Sequence, residues 1–224
     1  MVTRENRVPL SGKKIQSLYD SLSHIYDLLT RFEKDSLKKA LGIASVRENF
    51  VVLEAGFGTG KTLVEFAKKI GNTGELYGLD ISRKMANKSQ RVLRRHSLSS
   101  RVNLVLGDME CAPFSDGIFD LVFSSYTLDL IDTAMIPRVL SEFKRLLKPT
   151  GRIVLVGLSE GSKWYDNMKL YGWVYRRLPS LLGGCRPVLL MPYLQELKFE
   201  GIGREFMRAG HLMPTEIVWA SKGK

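Results

Sequence analysis

The sequence predicts a doubly wound α/β sheet. Short apolar runs bounded by turn residues alternate with stretches of helical period. The run Phe50-Val51-Val52-Leu53 passes straight into a glycine loop, Gly56-Phe57-Gly58-Thr59-Gly60, and then into a helix. No internal repeat or low-complexity tract breaks the alternation.

In chain order, residues 1–12 look frayed, and Lys13 to Leu41 is helical, with Ile15, Leu18, Leu22, Ile25, Leu28 and Leu29 three or four apart. Asp35 is placed to cap a second short helix ending near Gly42. Phe50–Leu53 is the first buried strand, followed by a helix over Thr62–Ile70 and a turn at Gly71-Asn72-Thr73-Gly74. Leu76–Leu79 is the second strand, Ser82–His96 the second helix of the alternation, Val102–Leu106 the third strand and Phe119–Phe123 the fourth. Thr133–Leu147 is a helix stopped by Pro149 and Gly151, and Ile153–Val156 is the fifth strand. The alternation then breaks: 160–195 reads as an inserted helical segment, before two late strands over Ile202–Met207 and Glu216–Ser221. The expected organisation is one domain: a helical cap (1–45), a ligand-binding core (46–157), a helical insert (158–198) and the last two strands (199–224).

Composition narrows the setting. The 224 residues hold 34 Lys+Arg against 23 Asp+Glu, a net charge of +11, which favours an anionic partner without choosing one. Cys111 and Cys185 are too few for a disulfide framework or a cysteine-rich zinc site, and both read as buried, inert thiols. No run approaches the roughly 18–20 apolar residues of a membrane span, and the basic N-terminus lacks a secretory core. A cytoplasmic setting is expected, with no resident metal.

The loop after the first strand, Glu54-Ala55-Gly56-Phe57-Gly58-Thr59-Gly60-Lys61-Thr62, admits three ligands. Gly60-Lys61-Thr62 is the tail of a triphosphate loop, but the first glycine of that pattern falls on Ala55, and Glu54 sets a carboxylate where phosphates would lie. A dinucleotide loop fits Gly56 and Gly58 but needs glycine at Lys61. The third ligand is S-adenosylmethionine. Its ammonium suits an acid at the strand end, and Glu54, Gly56, Gly58 and Gly60 fill every fixed position of Glu/Asp-x-Gly-x-Gly-x-Gly, the glycine loop of class I methyltransferases. Asp80 ends the second strand 22 residues after Gly58, where a carboxylate can accept from ribose hydroxyls. Gly107-Asp108-Met109 ends the third strand, Phe114-Ser115-Asp116-Gly117 leads into the fourth, and Leu147-Lys148-Pro149-Thr150-Gly151 precedes the fifth.

Over roughly residues 50–157 the chain therefore resembles the class I S-adenosylmethionine-dependent methyltransferases. Within them it looks like the ubiquinone/menaquinone-biosynthesis C-methyltransferases and the related phospholipid and small-molecule enzymes, on Tyr26-Asp27 and on Leu170-Tyr171-Gly172-Trp173…Leu178-Pro179…Gly183-Gly184. The resemblance implies a Rossmann-like sheet of seven strands, mostly parallel with an antiparallel last strand. It implies a cofactor site at Glu54, Ala55, Gly56, Gly58, Gly60, Asp80, Gly107, Ser124 and Ser125. Asp108 would accept from the adenine amino group, the Met109 N–H would donate to the ring, and Ile81 and Met85 would pack on the adenosine.

The acceptor side is less determined. The fourth strand exits as Ser124-Ser125-Tyr126-Thr127-Leu128-Asp129, without the Asn/Asp-Pro-Pro-Tyr/Phe of amino-directed DNA enzymes, and neither cysteine stands where a cytosine-directed nucleophile belongs. Tyr126, Asp129 and Tyr26 are the candidates beside the reacting centre. Many relatives carry histidine where this chain has Asp129, so that carboxylate reads as a base, as a group that attracts an amine substrate, or as a solvated helix cap. Tyr19, Tyr126, Trp164, Tyr165, Tyr171 and Trp173 could line an aromatic pocket. His24 and His211 read as structural. The expected substrate is small and hydrophobic or lipid-like. Arg176-Arg177 beside Leu181-Leu182 suggests contact with anionic lipid, while Lys84, Lys88, Arg91 and Arg95 on one helix face read as a solvated face or as a contact with RNA or lipid; nucleic acid is the less favoured partner. Two alternatives stay open: an RNA methyltransferase, and a cofactor-binding protein without turnover.

Overall fold

A computed structural model describes residues 34–159, 186–209 and 213–223. Tyr19, His24, Tyr26, Trp164, Tyr165, Tyr171, Trp173, Arg176, Arg177, Leu181, Leu182, Cys185 and His211 lie outside the described residues, as does the predicted helix before residue 34.

The elements run α1 (Lys34–Ala44), β1 (Val51–Ala55), α2 (Lys61–Lys69), β2 (Glu75–Asp80), α3 (Arg83–Arg95), β3 (Asn103–Leu106), β4 (Phe119–Ser125), α4 (Ile136–Leu146), β5 (Leu147–Leu158), α5 (Met191–Glu196), β6 (Glu200–Ala209) and β7 (Met213–Ser221). All seven predicted strands form. Asp35 sits inside the first turn of α1 rather than capping it. The fourth-strand helix starts later than expected, at Ile136, with Pro137 in its first turn where a missing N–H costs nothing.

The strands form one sheet in the order β3-β2-β1-β4-β5-β7-β6. β1 pairs in parallel with β2 and β4, β4 with β5, and β7 runs antiparallel between β5 and β6. Strand order therefore reverses between β1 and β4, and their carboxyl ends splay apart into a crevice.

Each face of the sheet has its own core. Leu53, Phe119 and Val122 pack under α4 and α5, while Val52, Leu121 and Phe123 pack under α1, α2 and α3. Alternation sends successive residues of β1, and of β4 beyond the register shift between Phe119 and Leu121, to opposite faces, and both faces are buried. Phe66 of α2 meets Phe123 edge to face at 5.1 Å between ring centroids. Ser82 caps α3, its hydroxyl accepting from the Met85 N–H at 3.2 Å.

Candidate functional site

The loop leaving β1 is stitched to the end of β2. The Gly56 N–H donates to the Leu79 carbonyl (2.7 Å) and the Gly58 N–H to Asp80 Oδ2 (2.9 Å). The other oxygen of Asp80, Oδ1, accepts from the Ser82 N–H (2.8 Å). One carboxylate thus joins the glycine loop to the start of α3. Burial raises its pKa, partly offset by the N–H groups of Ser82, Gly58 and Ile81.

Two glycines of the loop serve different ends. Gly56 has φ +77°, and a Cβ there would fall inside the Thr127 side chain, so its smallness admits the β4 exit. Gly58 has φ +50°, and a Cβ there would meet nothing within 4 Å. Its bare face opens on the crevice, where a ligand can approach the backbone.

Glu54 is the unusual group. It is 1% exposed, borders the crevice, and its Oε2 has no hydrogen-bond partner. Burial holds its carboxyl well above the usual range; a bond from Thr62 pulls down and the neighbouring Asp80 charge pushes up. A buried, unpaired carboxylate oxygen is costly unless a cation completes it.

Around these groups Ile81, Asp108, Met109 and Glu110 form one wall. Leu130, Ile131, Met135 and Val139, from the β4–α4 connection and the start of α4, form a second, apolar wall. Leu37 of α1, Tyr126 and Thr127 complete the lining on the side of α1. Among the described residues the lining carries four carboxylates (Glu54, Asp80, Asp108 and Glu110) and one cation, Lys61. That balance suits a cationic adenosyl ligand and opposes a polyphosphate.

Of the residues expected at the cofactor, Glu54, Gly56, Gly58, Asp80, Ile81, Asp108, Met109 and Ser125 line the crevice. Ile81 is 37% exposed there. Ala55, Gly60, Met85, Gly107 and Ser124 do not line it. Met85 is 1% exposed and belongs to the core beneath α3, so of the two apolar residues expected there only Ile81 borders the crevice. Gly60 packs against Ser89 of α3, and Ser124 Oγ donates to the Ala55 carbonyl at 2.9 Å, holding β4 to β1 from below.

The acceptor-side expectations need correction. Asp129 is neither solvated nor a helix cap. It is fully buried, its Oδ2 accepts from the Leu158 N–H at 2.8 Å, and its backbone carbonyl accepts from the Arg186 N–H at 3.0 Å. A Cβ on Gly157 would come within 2.6 Å of its Oδ1. Asp129 therefore fastens the β4 exit to the end of β5 and does not line the crevice. Tyr126 does line it, but with its backbone at φ +51° and its hydroxyl held by Ser36 of α1 (2.7 Å) and Thr215 of β7 (3.1 Å). Cys111 is exposed in the turn after β3, not buried.

Sequence reasoning missed Leu37, Phe57, Thr59, Lys61, Thr62, Glu110 and Thr127, and the apolar wall of α4. A signal for that wall exists: Ile131, Met135 and Val139 recur every four residues on the way into α4, although only Val139 lies in the helix itself.

Comparison with known proteins adds independent findings. Residues 52–151 match a family model described as a methyltransferase domain. The chain is 33% identical over 171 residues to the ubiquinone/menaquinone biosynthesis C-methyltransferase UbiE of Paraburkholderia xenovorans, covering 73% of this chain and 67% of that protein. Across the similar curated relatives the chain spans between 63% and 75% of their length. A SAM-dependent methyltransferase from Aquifex aeolicus superposes with a TM-score of 0.64 at 19% identity, over 95% of this chain and 99% of that one. The [4+2]-cyclase SpnF superposes with a TM-score of 0.77 at 17% identity, over 97% and 98%. At such identities the superpositions speak for the fold alone.

Proposed function

Because this chain belongs to the class I S-adenosylmethionine-dependent methyltransferases, related to the ubiquinone/menaquinone C-methyltransferases, we propose that its acceptor is a small, lipid-like molecule of the reduced-quinone type, methylated on a ring carbon. Two features of the crevice fit the cofactor: the unpartnered Oε2 of Glu54, and the bare face of Gly58 beside it. Glu54 would take the ammonium and Asp80 the ribose hydroxyls. Asp108 and the Met109 N–H would take the adenine edge, with Ile81 against its face.

The bound cofactor supplies a methyl group on a sulfonium, whose leaving group is already activated. The protein's part is then to align the acceptor and exclude water. Tyr126 and Asp129 fit that division of labour as positioning residues. The Tyr126 hydroxyl is tied to Ser36 and Thr215, and the Asp129 carboxylate to the Leu158 N–H. Leu37, Tyr126 and Thr127 would bound the acceptor end, which is apolar enough for a quinol ring that brings its own nucleophilic electrons. The relatives support the quinol class, and the apolar lining supports a hydrophobic ring.

The test is incubation of the protein and labelled cofactor with a 2-polyprenyl-1,4-naphthoquinol and, separately, with phosphatidylethanolamine vesicles. Ring-methylated quinol identified by mass spectrometry is the expected result. Methylated amine, or no product from the quinol, rejects the proposal.

A further inference from the structure

Among the described residues, the helices on the two faces of the sheet differ in charge. Helices α1, α2 and α3 cover one face of the sheet, while α4 and α5 cover the other. Lys34, Lys38 and Lys39 of α1, Lys61, Lys68 and Lys69 of α2, and six cations of α3 stand on the first face, against only Asp35 and Glu65 from the same helices. On the second face Arg138, Lys144 and Arg145 stand against Glu142 and Glu196. Counted over these described helices alone the asymmetry is ten charges to one, with Lys39 paired to Glu205 of β6.

It is sharpest on α3. Met85, Ser89 and Leu93 recur every four residues and are buried. The opposite arc holds Arg83, Lys84, Asn87, Lys88, Arg91, Arg94 and Arg95, and the helix has no acid anywhere. Arg83, Arg91, Arg94 and Arg95 are exposed. Thirteen residues make this basic ridge about 20 Å long.

We propose that this helix layer is a docking face for an anionic lipid bilayer. Three helices laid against one sheet face form a broad surface, which suits a plane of phosphates. Arginine forks bind phosphate oxygens in pairs, and each cation held within a Debye length of an anionic leaflet adds to the attraction. A nucleic acid fits less well. The only aromatic residue in the three helices, Phe66, is buried, so the layer offers no platform for stacking bases. A second copy presenting the same face would meet it with like charge.

The face also reaches the crevice. Leu37 of α1, Lys61 at the start of α2 and Ile81 just before α3 all line it. A molecule dissolved in the bilayer would meet the crevice mouth when the basic layer lies on the membrane. This motive rests on the lipid-like acceptor proposed above; the charge asymmetry does not.

The experiment is co-sedimentation of the full chain with vesicles of 30% phosphatidylglycerol in phosphatidylcholine, and with phosphatidylcholine alone, in 50 and 500 mM salt. Partitioning at least tenfold stronger onto the anionic vesicles, lost in high salt, is expected. Arg91→Glu, Arg94→Glu and Arg95→Glu together should lower it at least tenfold while S-adenosylhomocysteine affinity stays within twofold. If that variant misfolds, the three glutamine substitutions replace it, with the same direction and a smaller drop. Equal partitioning onto neutral vesicles, or undiminished binding by a folded variant, overturns the proposal. So does transfer RNA that binds more tightly than the vesicles and strips the protein from them, which would assign the layer to nucleic acid. The readout needs no turnover, so failure of the quinol reaction and failure of docking are told apart.

Discussion

Replacing Glu54 with glutamine isolates the electrostatics of the crevice with little change of shape. In the free protein the Glu54 carboxyl is buried beside Asp80, with Oε2 unpaired, so its proton is held well above the usual carboxylate range. A ligand ammonium favours the ionised form. Binding should therefore expel a proton, and affinity should tighten with rising pH, by up to about tenfold per unit, until the free-state pKa is passed. A charge-assisted bond contributes about 1.5–3 kcal/mol, so Glu54→Gln should weaken S-adenosylhomocysteine binding by about 10- to 150-fold. Calorimetry in buffers of different ionisation enthalpy, between pH 5 and 8, measures the affinity and the proton together. 5′-Methylthioadenosine, which lacks the ammonium, is the control: wild type and variant should bind it alike, without proton release. If the variant binds S-adenosylhomocysteine within twofold of wild type, or loses both ligands equally, the assignment of Glu54 to the ammonium fails.

Other perturbations separate ligand contact from packing. Gly56→Ala, which drives a Cβ into Thr127, should lower the melting temperature sharply. Gly58→Ala should cost only about 1–2 kcal/mol of left-handed strain yet abolish S-adenosylhomocysteine binding; retained binding would show that its bare face is not the ligand's. Tyr126→Phe removes the hydroxyl shared with Ser36 and Thr215 and should destabilise the fold by about 1–3 kcal/mol in denaturant titration. Cofactor affinity should be unchanged, and a loss would show that the Tyr126 hydroxyl serves the cofactor rather than the fold. Burial raises the pKa of Glu216, against the pull of Arg204 and of nearby N–H and hydroxyl donors. A raised carboxyl stabilises the fold fully below its unfolded value near 4.5 and loses that contribution as pH rises through the folded value. The melting temperature of Glu216→Gln relative to wild type should therefore climb between pH 5 and 8, and a flat difference would contradict the sign.

The strands and the glycine loop were legible because their signals are local: an apolar run, a turn, three glycines at fixed spacing. Asp80 was legible for the same reason, standing at the end of a recognisable strand. Asp129 was not. Its burial is decided by Gly157 and Leu158, which β5 brings alongside from 28 and 29 residues further on. Ile81 and Met85 look interchangeable in sequence, but the Ser82 cap sets the phase of α3, leaving one at the crevice and burying the other. The excess of positive charge could be counted at once; only the winding of the chain shows that α1, α2 and α3 share a face.

Gly157 and Asp129 form a mould and its cast. The strand lacks a side chain at the spot the carboxylate fills, and the carboxylate has room only because that side chain is missing. Neither position can drift alone: any larger residue at 157 collides, and loss of the acid orphans the amide of Leu158. The pair should vary as a unit between lineages, an epistatic lock between the β4 exit and the end of β5. A different methyl acceptor would then be reached more easily by repainting the walls of the crevice than by rebuilding its floor.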